Sequence, residues 1–411
     1  MNKNINYKCP KGTIDYFNLD SKKLKFMKNN LENIFEKYGG ECVETPVFEL
    51  KDTIMGKYGE EAETKLIYEI SDNGGEKLVL RYDLTVPFIR FLIENKIKKI
   101  KRYSIGKVYR RDNPNVNQGR YREFYQADFD IVGEDNTTMM AECVIFKMIS
   151  EILEVYKINN YKIIINDTDN LKEVLINKLG IETNNFKNIC SSIDKLDKVT
   201  FTEIIPELKL KGLTDNQIVE LSKIIKLNEI YSEKSKERIN KINNITKIWN
   251  INDNIEYNFS LARGLDYYNG IIYEVKLLDF NSSVIAGGRY DNIIDNTTFI
   301  GFSVGLTRLL NMIKFEDENK WKLIYNLTCL GDISLEDKLR IIKYVQDNIS
   351  KNNTLNYSFD KEKKLGKIIR DCVIHYEKYL IIISEDELKE NKFILKDLEN
   401  NTQILIDIPK N

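Results

Sequence analysis

Apolar residues recur at helical spacing from Leu24 through Met27, Leu31, Ile34, Phe35 and Tyr38, with Ser21 ahead of them as an N-cap and Gly39-Gly40 behind. That spacing predicts a first helix. A strand through Cys42 and Val43 runs into Pro46, and the segments Leu66–Ile70 and Lys77–Arg81, joined by Asp72-Asn73-Gly74-Gly75, predict a hairpin. Pro87 opens a short helix through Phe88, Phe91 and Leu92. Residues 101–133 read as two long antiparallel strands around an Asn-rich loop from Asp112 to Gly119, and 137–155 read as a helix. From about 168 to 250 the texture changes to short amphipathic helices rich in Lys, Asn and Ile, a helical insertion. Strand-rich sequence resumes from Tyr257 to Gly305, with a helix from about Leu306. Beyond Trp321, helices at 335–349 and 364–373 alternate with strands at 379–383 and 403–408, which predicts a small α/β domain.

The second strand of the 101–133 pair changes this picture. Period-two alternation places Tyr121, Glu123, Tyr125, Ala127, Phe129 and Ile131 on one face. Arg122, Phe124, Gln126, Asp128 and Asp130 fall on the other. An aromatic, an amide, two acids and neighbouring Arg110, Arg111 and Arg120 can together stack a base, bind phosphate and hold an ammonium. The competing reading is an ordinary solvated face with scattered ion pairs. Three further clusters stand out: Arg263-Gly264-Leu265-Asp266-Tyr267-Tyr268, followed by an Asn269-Gly270 pair that also reads as a hairpin turn; Ala286-Gly287-Gly288-Arg289-Tyr290-Asp291; and Gly301 to Arg308.

Composition narrows the chemistry. The chain has 411 residues, with 62 Lys and Arg against 63 Asp and Glu, so a nucleic-acid partner must be held by local basic patches. The single histidine, His375, leaves no two-His zinc site and no Ser-His-Asp site that does not use it. Six cysteines form no C-x-x-C pair and suit a reducing compartment, so no protein-held metal is expected. No apolar run reaches the ~18–20 residues of a membrane span, and the first nine residues lack a signal-like apolar stretch. The cytoplasm is the expected location. Neither a P-loop nor a strand-linked G-x-G-x-x-G occurs.

Taken in order, these segments resemble one family over nearly the whole chain: the histidyl-tRNA synthetases, class II aminoacyl-tRNA synthetases, in their eukaryotic type. The match is carried by Pro10–Asp15, Leu80–Pro87, Gly106–Pro114 and Gly119–Gln126, and above all by Arg263–Tyr268 and Ala286–Asp291. The resemblance implies an α+β fold. A class II antiparallel sheet flanked by helices spans residues 1–320, with the helical insertion at about 168–250. A small, shortened anticodon-binding-like α/β domain follows at 321–411.

It also implies roles. Histidine and ATP give histidyl-adenylate, then histidine passes to the 3′ end of tRNA(His), by positioning and charge stabilisation without a side-chain nucleophile. Arg110 and Arg263 are the implied catalytic residues at the α-phosphate. Phe124 stacks on adenine, Arg308 holds the far end of ATP, and Mg²⁺ accompanies the nucleotide. Asp83, Thr85 and Gln126 match the ammonium-binding set, Asp130 and Tyr268 the imidazole-reading pair, with Tyr267, Arg289 and Tyr290 in the same pocket. Gln118, Arg120 and Arg122, in the loop from Asn115 to Arg122, are candidate tRNA contacts. The Lys96–Arg102 run reads either as a further contact or as a solvated helix end. The first helix and following strand fill the place that builds a homodimer in the family. Thr307 stands where the family usually carries Glu, and Ile14 where eukaryotic relatives commonly carry Arg. The alternative is a catalytically inactive histidine-sensing paralogue resembling the ATP phosphoribosyltransferase regulatory subunit.

Overall fold

The computed structural model describes residues 7–58, 67–71, 74–115, 119–265, 267–280, 283–313, 324–351, 353–358, 364–375 and 377–408. The chain divides into two compact units, Met1–Asp15 with Phe26–Ile313, and Tyr16–Lys25 with Lys314–Asn411.

The first unit carries strands β1 (Glu41–Cys42), β2 (Phe48–Leu50), β3 (Glu69–Ile70), β4 (Leu78–Leu80), β5 (Ile100–Tyr109), β6 (Glu123–Val132), β7 (Tyr161–Asp167), β8 (Ile255–Tyr257), β9 (Ile271–Leu277), β10 (Ser283–Arg289) and β11 (Phe299–Val304). Among the described residues, eight of them form one sheet in the order β1-β5-β6-β11-β10-β9-β7-β8. Its heart, from β5 to β7, is antiparallel throughout, and the short edge strands β1 and β8 pair in parallel. β2, β4 and β3 make a small separate sheet. The fold is therefore the mixed α/β architecture expected, a large antiparallel sheet flanked by helices.

Alternation along β6 explains which face is packed. Phe129 and its neighbours Tyr103 and Phe302 turn toward the first helix, where the Phe35 ring lies 5.6, 5.4 and 6.0 Å from Tyr103, Phe129 and Phe302. Phe35 is wholly buried there, so the other face is left for polar side chains. That first helix begins at Asn18, a turn earlier than a Ser21 cap would place it. The carboxylate of Asp20 in the first turn suits the positive end of the helix dipole. The helix expected from Pro87 likewise starts at Thr85. Asp83 Oδ1 accepts the N–H groups of Thr85 and Val86 at 3.1 and 3.0 Å, a local signal stronger than the proline.

Residues 168–250 form helices, including Phe186–Ile193, Phe201–Leu210, Asp215–Leu227 and Glu233–Ile248. The apolar faces of the first three share a core that includes Leu171, Ile189, Leu208, Leu221 and, from the sheet side, Phe259, Leu261 and Ile272. Arg238 Nη1 donates to buried Asp167 at 2.9 Å and to Asp169 at 2.9 Å, tying the helix Glu233–Ile248 to the end of β7.

The second unit adds β12 (Ile324–Leu330), β13 (Thr354–Ser358), β14 (Tyr379–Ser384), β15 (Lys392–Asp397) and β16 (Thr402–Asp407). They form one sheet in the order β13-β12-β14-β15-β16, with helices Leu335–Val345 and Leu365–Ile374 between strands. β12, β13 and β15 are strands that the sequence pattern did not separate. β12 pairs in parallel on both sides, and its Leu327, Thr328 and Cys329 are all buried, so it carries no polar–apolar alternation. No described helix is long and apolar enough to cross a membrane.

Candidate active site

The floor of the site is set by strand register. Gly106, Ser104 and Arg102 of β5 pair with Gln126, Asp128 and Asp130 of β6, and Ser303 and Gly301 of β11 pair with Asp128 and Asp130 from the other side. Arg102 is 1% exposed and Asp130 4%, and Arg102 Nη2 lies 2.9 Å from Asp130 Oδ2. Arg102 also donates to the Leu84 carbonyl at 3.0 Å, and its guanidinium carbon stands 4.3 Å from the centroid of the Phe88 ring. The Tyr290 hydroxyl donates to Asp130 Oδ1. A Cβ at Gly301 would fall 2.0 Å from that same oxygen, so only glycine admits the Asp130 side chain here. Arg102 is thus a buried structural cation, and the Lys96–Arg102 run cannot use it to grip a nucleic acid.

A cavity of about 370 Å³ adjoins this floor. Arg110, Arg120, Arg263 and Arg308 line it, together with Phe124, Gln126, Tyr267 and Tyr268. Four segments distant in sequence supply these groups: the end of β5, the β5–β6 loop with β6, the stretch before β9, and the helix Leu306–Met312. Arg110 lies 4.3 Å from the Tyr82 ring centroid and 5.2 Å from that of Phe124. Gly119, at φ +68°, takes a backbone conformation that favours glycine. A side chain there would also press on Arg308, whose Cγ would sit 3.2 Å from the new Cβ.

The arginines are braced differently. Arg263 Nη1 donates to Glu274, and its Nε and Nη2 face the two oxygens of Asp194 at 3.3 and 3.5 Å. Glu274 is 2% exposed and also accepts the Ser283 hydroxyl at 2.7 Å. The Ser283 carbonyl in turn accepts Arg308 Nη1 at 2.8 Å, and the register shift between Ser283 and Ile285 places this residue. Burial lowers the Arg263 pKa, but Glu274 and Asp194 outweigh it and the net shift is upward. Burial and the charges of Arg120, Arg110 and Arg263 lower the pKa of Arg308. Four guanidinium groups crowded against so little acid make a site for a polyanion.

On the floor, burial pushes the Asp128 carboxyl up to about 7, with Arg102 opposing and Asp130 adding to the rise. Burial also raises the Tyr268 phenol, and Asp130, Asp128 and Asp83 add to it. Gln126 Nε2 donates to Ser303 Oγ at 2.6 Å.

Not every expected residue meets the cavity. Asp83, Thr85 and Asp130 are outside its lining, although Asp83 and Asp130 are close enough to act on Tyr268. Arg289 departs further. It lies on the opposite face of β10 from Ala286 and Gly288, is 4% exposed, and pairs through Nη2 with Glu142 at 2.6 Å and through Nη1 with Asp291 at 3.1 Å. It is a buried ion-pair residue, not a wall of this cavity. Ala286–Arg289 of the Ala286–Asp291 run form the second half of strand β10. Asn269-Gly270 is no hairpin turn, since it leads into β9 while Asn269 bonds Asp291 in both directions at 2.6 and 2.9 Å. Arg122 Nε donates to the Asp112 carbonyl at 3.1 Å, and Arg120 is exposed. Gln118 and Asp266 lie outside the described residues. Thr307, in place of the family's Glu, is 2% exposed and accepts the Tyr125 N–H at 2.9 Å, fixing the helix Leu306–Met312 to β6. Sequence reasoning missed Asp194, Glu274 and Ser283 altogether.

The family model for histidyl-tRNA synthetase matches residues 12–309, well over half of the chain. The chain belongs to the histidyl-tRNA synthetase family. Curated relatives agree. A protein of Vairimorpha ceranae named probable histidine–tRNA ligase, cytoplasmic, is 39% identical, with 97% of each chain covered. The histidine–tRNA ligase, cytoplasmic, of Dictyostelium discoideum is 34% identical over 98% of this chain and 89% of that one. The fold is that of the crystal structure of histidyl-tRNA synthetase from Nostoc sp. PCC 7120, with a TM-score of 0.76 at 21% identity, covering 98% of this chain and 97% of that one. A Bacillus halodurans structure titled as an ATP phosphoribosyltransferase regulatory subunit/histidyl-tRNA synthetase superposes almost as well, with a TM-score of 0.75 at 16% identity, covering 93% and 99%. Fold alone does not separate ligase from sensor, and the sequence relatives favour the ligase family.

Proposed function

We propose that this protein charges tRNA(His): it condenses histidine with ATP to histidyl-adenylate and pyrophosphate, then passes the histidyl group to the terminal ribose. The observation that carries this reading is the convergence of Arg110, Arg120, Arg263 and Arg308 on a cavity beside a buried acid–amide floor. A histidine sensor has no need of a polyphosphate cradle. Phe124 stacks on adenine, and Arg308 holds the distal phosphates. Arg263 and Arg110 neutralise charge growing on the α-phosphorus as the histidine carboxylate attacks and pyrophosphate leaves. Mg²⁺ travels with the nucleotide on phosphate oxygens.

Histidine is held at the floor. Asp83, Thr85 and Gln126 receive its ammonium, while Asp130 and Tyr268 read the imidazole beside Tyr267. Arg289 shapes that pocket only from behind, through Glu142 and Asp291. Gln118, Arg120 and Arg122 meet the acceptor end of the tRNA, and residues 168–250 brace its stem. Residues 321–411 serve as the anticodon-binding domain. The edge strand β1, exposed at Glu41 and Cys42, supports a homodimer built on the first helix and this edge, and the half-exposed Phe48 and Leu50 of β2 add apolar surface. The cytoplasm is the working location, as the relatives' names have it. Transfer of labelled histidine to tRNA(His), dependent on ATP, tests the proposal, and a protein that binds histidine but charges no tRNA would favour the sensor.

A further inference from the structure

One acid on the floor has no role in the scheme above. Asp128 is 3% exposed and lies on the same face of β6 as Gln126 and Asp130, directly between the groups assigned to the ammonium and to the imidazole. Its neighbours differ from it in one respect. Asp130 is held by Arg102 at one oxygen and by the Tyr290 hydroxyl at the other. Asp83 Oδ1 is committed to the backbone of Thr85 and Val86. Asp128 lies 3.9 Å from Arg102 through Oδ2 and the Ser303 hydroxyl acts on its carboxylate, while its buried Oδ1 has no hydrogen-bond partner in good geometry among the described residues. Gln126 Oε1, two residues away, is a second buried acceptor of this kind. Adjacent unpaired acceptors cost free energy in the empty protein, and a ligand bearing N–H groups removes that cost.

We propose that Asp128 is a further specificity-determining residue for histidine, its Oδ1 accepting a ring N–H of the substrate's imidazole opposite the Tyr268 hydroxyl. This rests on the histidine-activating reading. A carboxylate raised to about 7 by burial stands close to the ordinary imidazole range, so ring and acid can share one proton in the closed pocket. An amino acid with an apolar ring would leave the acid buried and unpaired, which is how such a site rejects near-isosteres.

The test compares wild type with Asp128→Asn in histidine-dependent ATP–pyrophosphate exchange. Asp128→Ser takes its place if the first variant does not fold. The expected result is a rise in KM for histidine of roughly tenfold or more, the scale of a lost hydrogen bond to a charged group, with KM for ATP within about twofold. Competition by 1-methyl- and 3-methyl-L-histidine, each lacking one ring N–H, locates the contact. One of the two should lose at least half of its discrimination in the variant. An unchanged KM for histidine overturns the proposal, leaving Asp128 a partner of Arg102 and Ser303. A raised KM with unchanged discrimination between the methylated rings also overturns it, because the acid would then serve the ammonium. If the wild type shows no histidine-dependent exchange at all, the functional reading itself fails.

Discussion

Replacing Arg263 by alanine should damage catalysis far more than folding, and the structure gives both magnitudes. The side chain lines the cavity and is 30% exposed, so a ligand can reach it. Of its five N–H donors, Glu274 and Asp194 engage three, which leaves two for the anion that the proposed function places there. Loss of one fixed transition-state donor costs about 2.7–4 kcal/mol, or roughly 10²–10³ in rate. The stability loss is smaller. Glu274 keeps the Ser283 hydroxyl at 2.7 Å and Lys276 at 3.3 Å after the mutation, so its buried charge is not stranded, and about 1–3 kcal/mol is expected. Single-turnover formation of histidyl-adenylate measures the first effect and denaturant unfolding the second. Arg263→Lys keeps the charge but loses the planar fork and should fall between. An alanine variant forming adenylate within about threefold of the wild-type rate would refute the assigned role.

The same geometry yields other expectations. Asp194→Ala frees one side of Arg263 and should lower kcat by roughly tenfold while leaving KM for histidine unchanged, with partial recovery in Asp194→Glu; a shift in KM alone would count against a positioning role. Arg120→Ala should weaken tRNA binding and reduce the slope of log K against log salt by about 1, with adenylate formation at least partly retained; an unchanged slope would place Arg120 off the tRNA path. The folded pKa of Asp128 is raised, so its protonated form favours the native state. That contribution is complete below about pH 4 and lost as pH rises to about 7. The stability of Asp128→Asn relative to wild type should therefore climb across that window, by on the order of a few kcal/mol, and a flat difference between pH 4 and pH 7 would contradict the buried-acid reading.

Much of this site is visible in local sequence. Period-two alternation placed Gln126, Asp128 and Asp130 together before any fold was known, because a strand fixes faces without help from its neighbours. The β5–β6 pair and the helix after Gly305 follow from the same local rules. What alternation cannot supply is the partner. Tyr290 reaches Asp130 across 160 positions, and Asp194 reaches Arg263 across 69, by strand order and helix packing that no short window records. Arg289 shows the converse. Its motif pointed to the pocket, but one step along β10 turns it to the opposite face, onto Glu142. The family motif identified the strand, and the pleat decided the direction. In the second unit, β12 lacks alternation because it is paired on both sides, so no period-two signal marks it.

In the proposed function the arginine cradle and the acidic floor together perform chemistry on ATP. Histidine-dependent exchange of labelled pyrophosphate into ATP by the purified protein measures this most directly. The expected result is exchange that requires histidine, is not supported by other amino acids, and falls by about 10²–10³ in Arg263→Ala. Tight histidine binding with no exchange above background would contradict it.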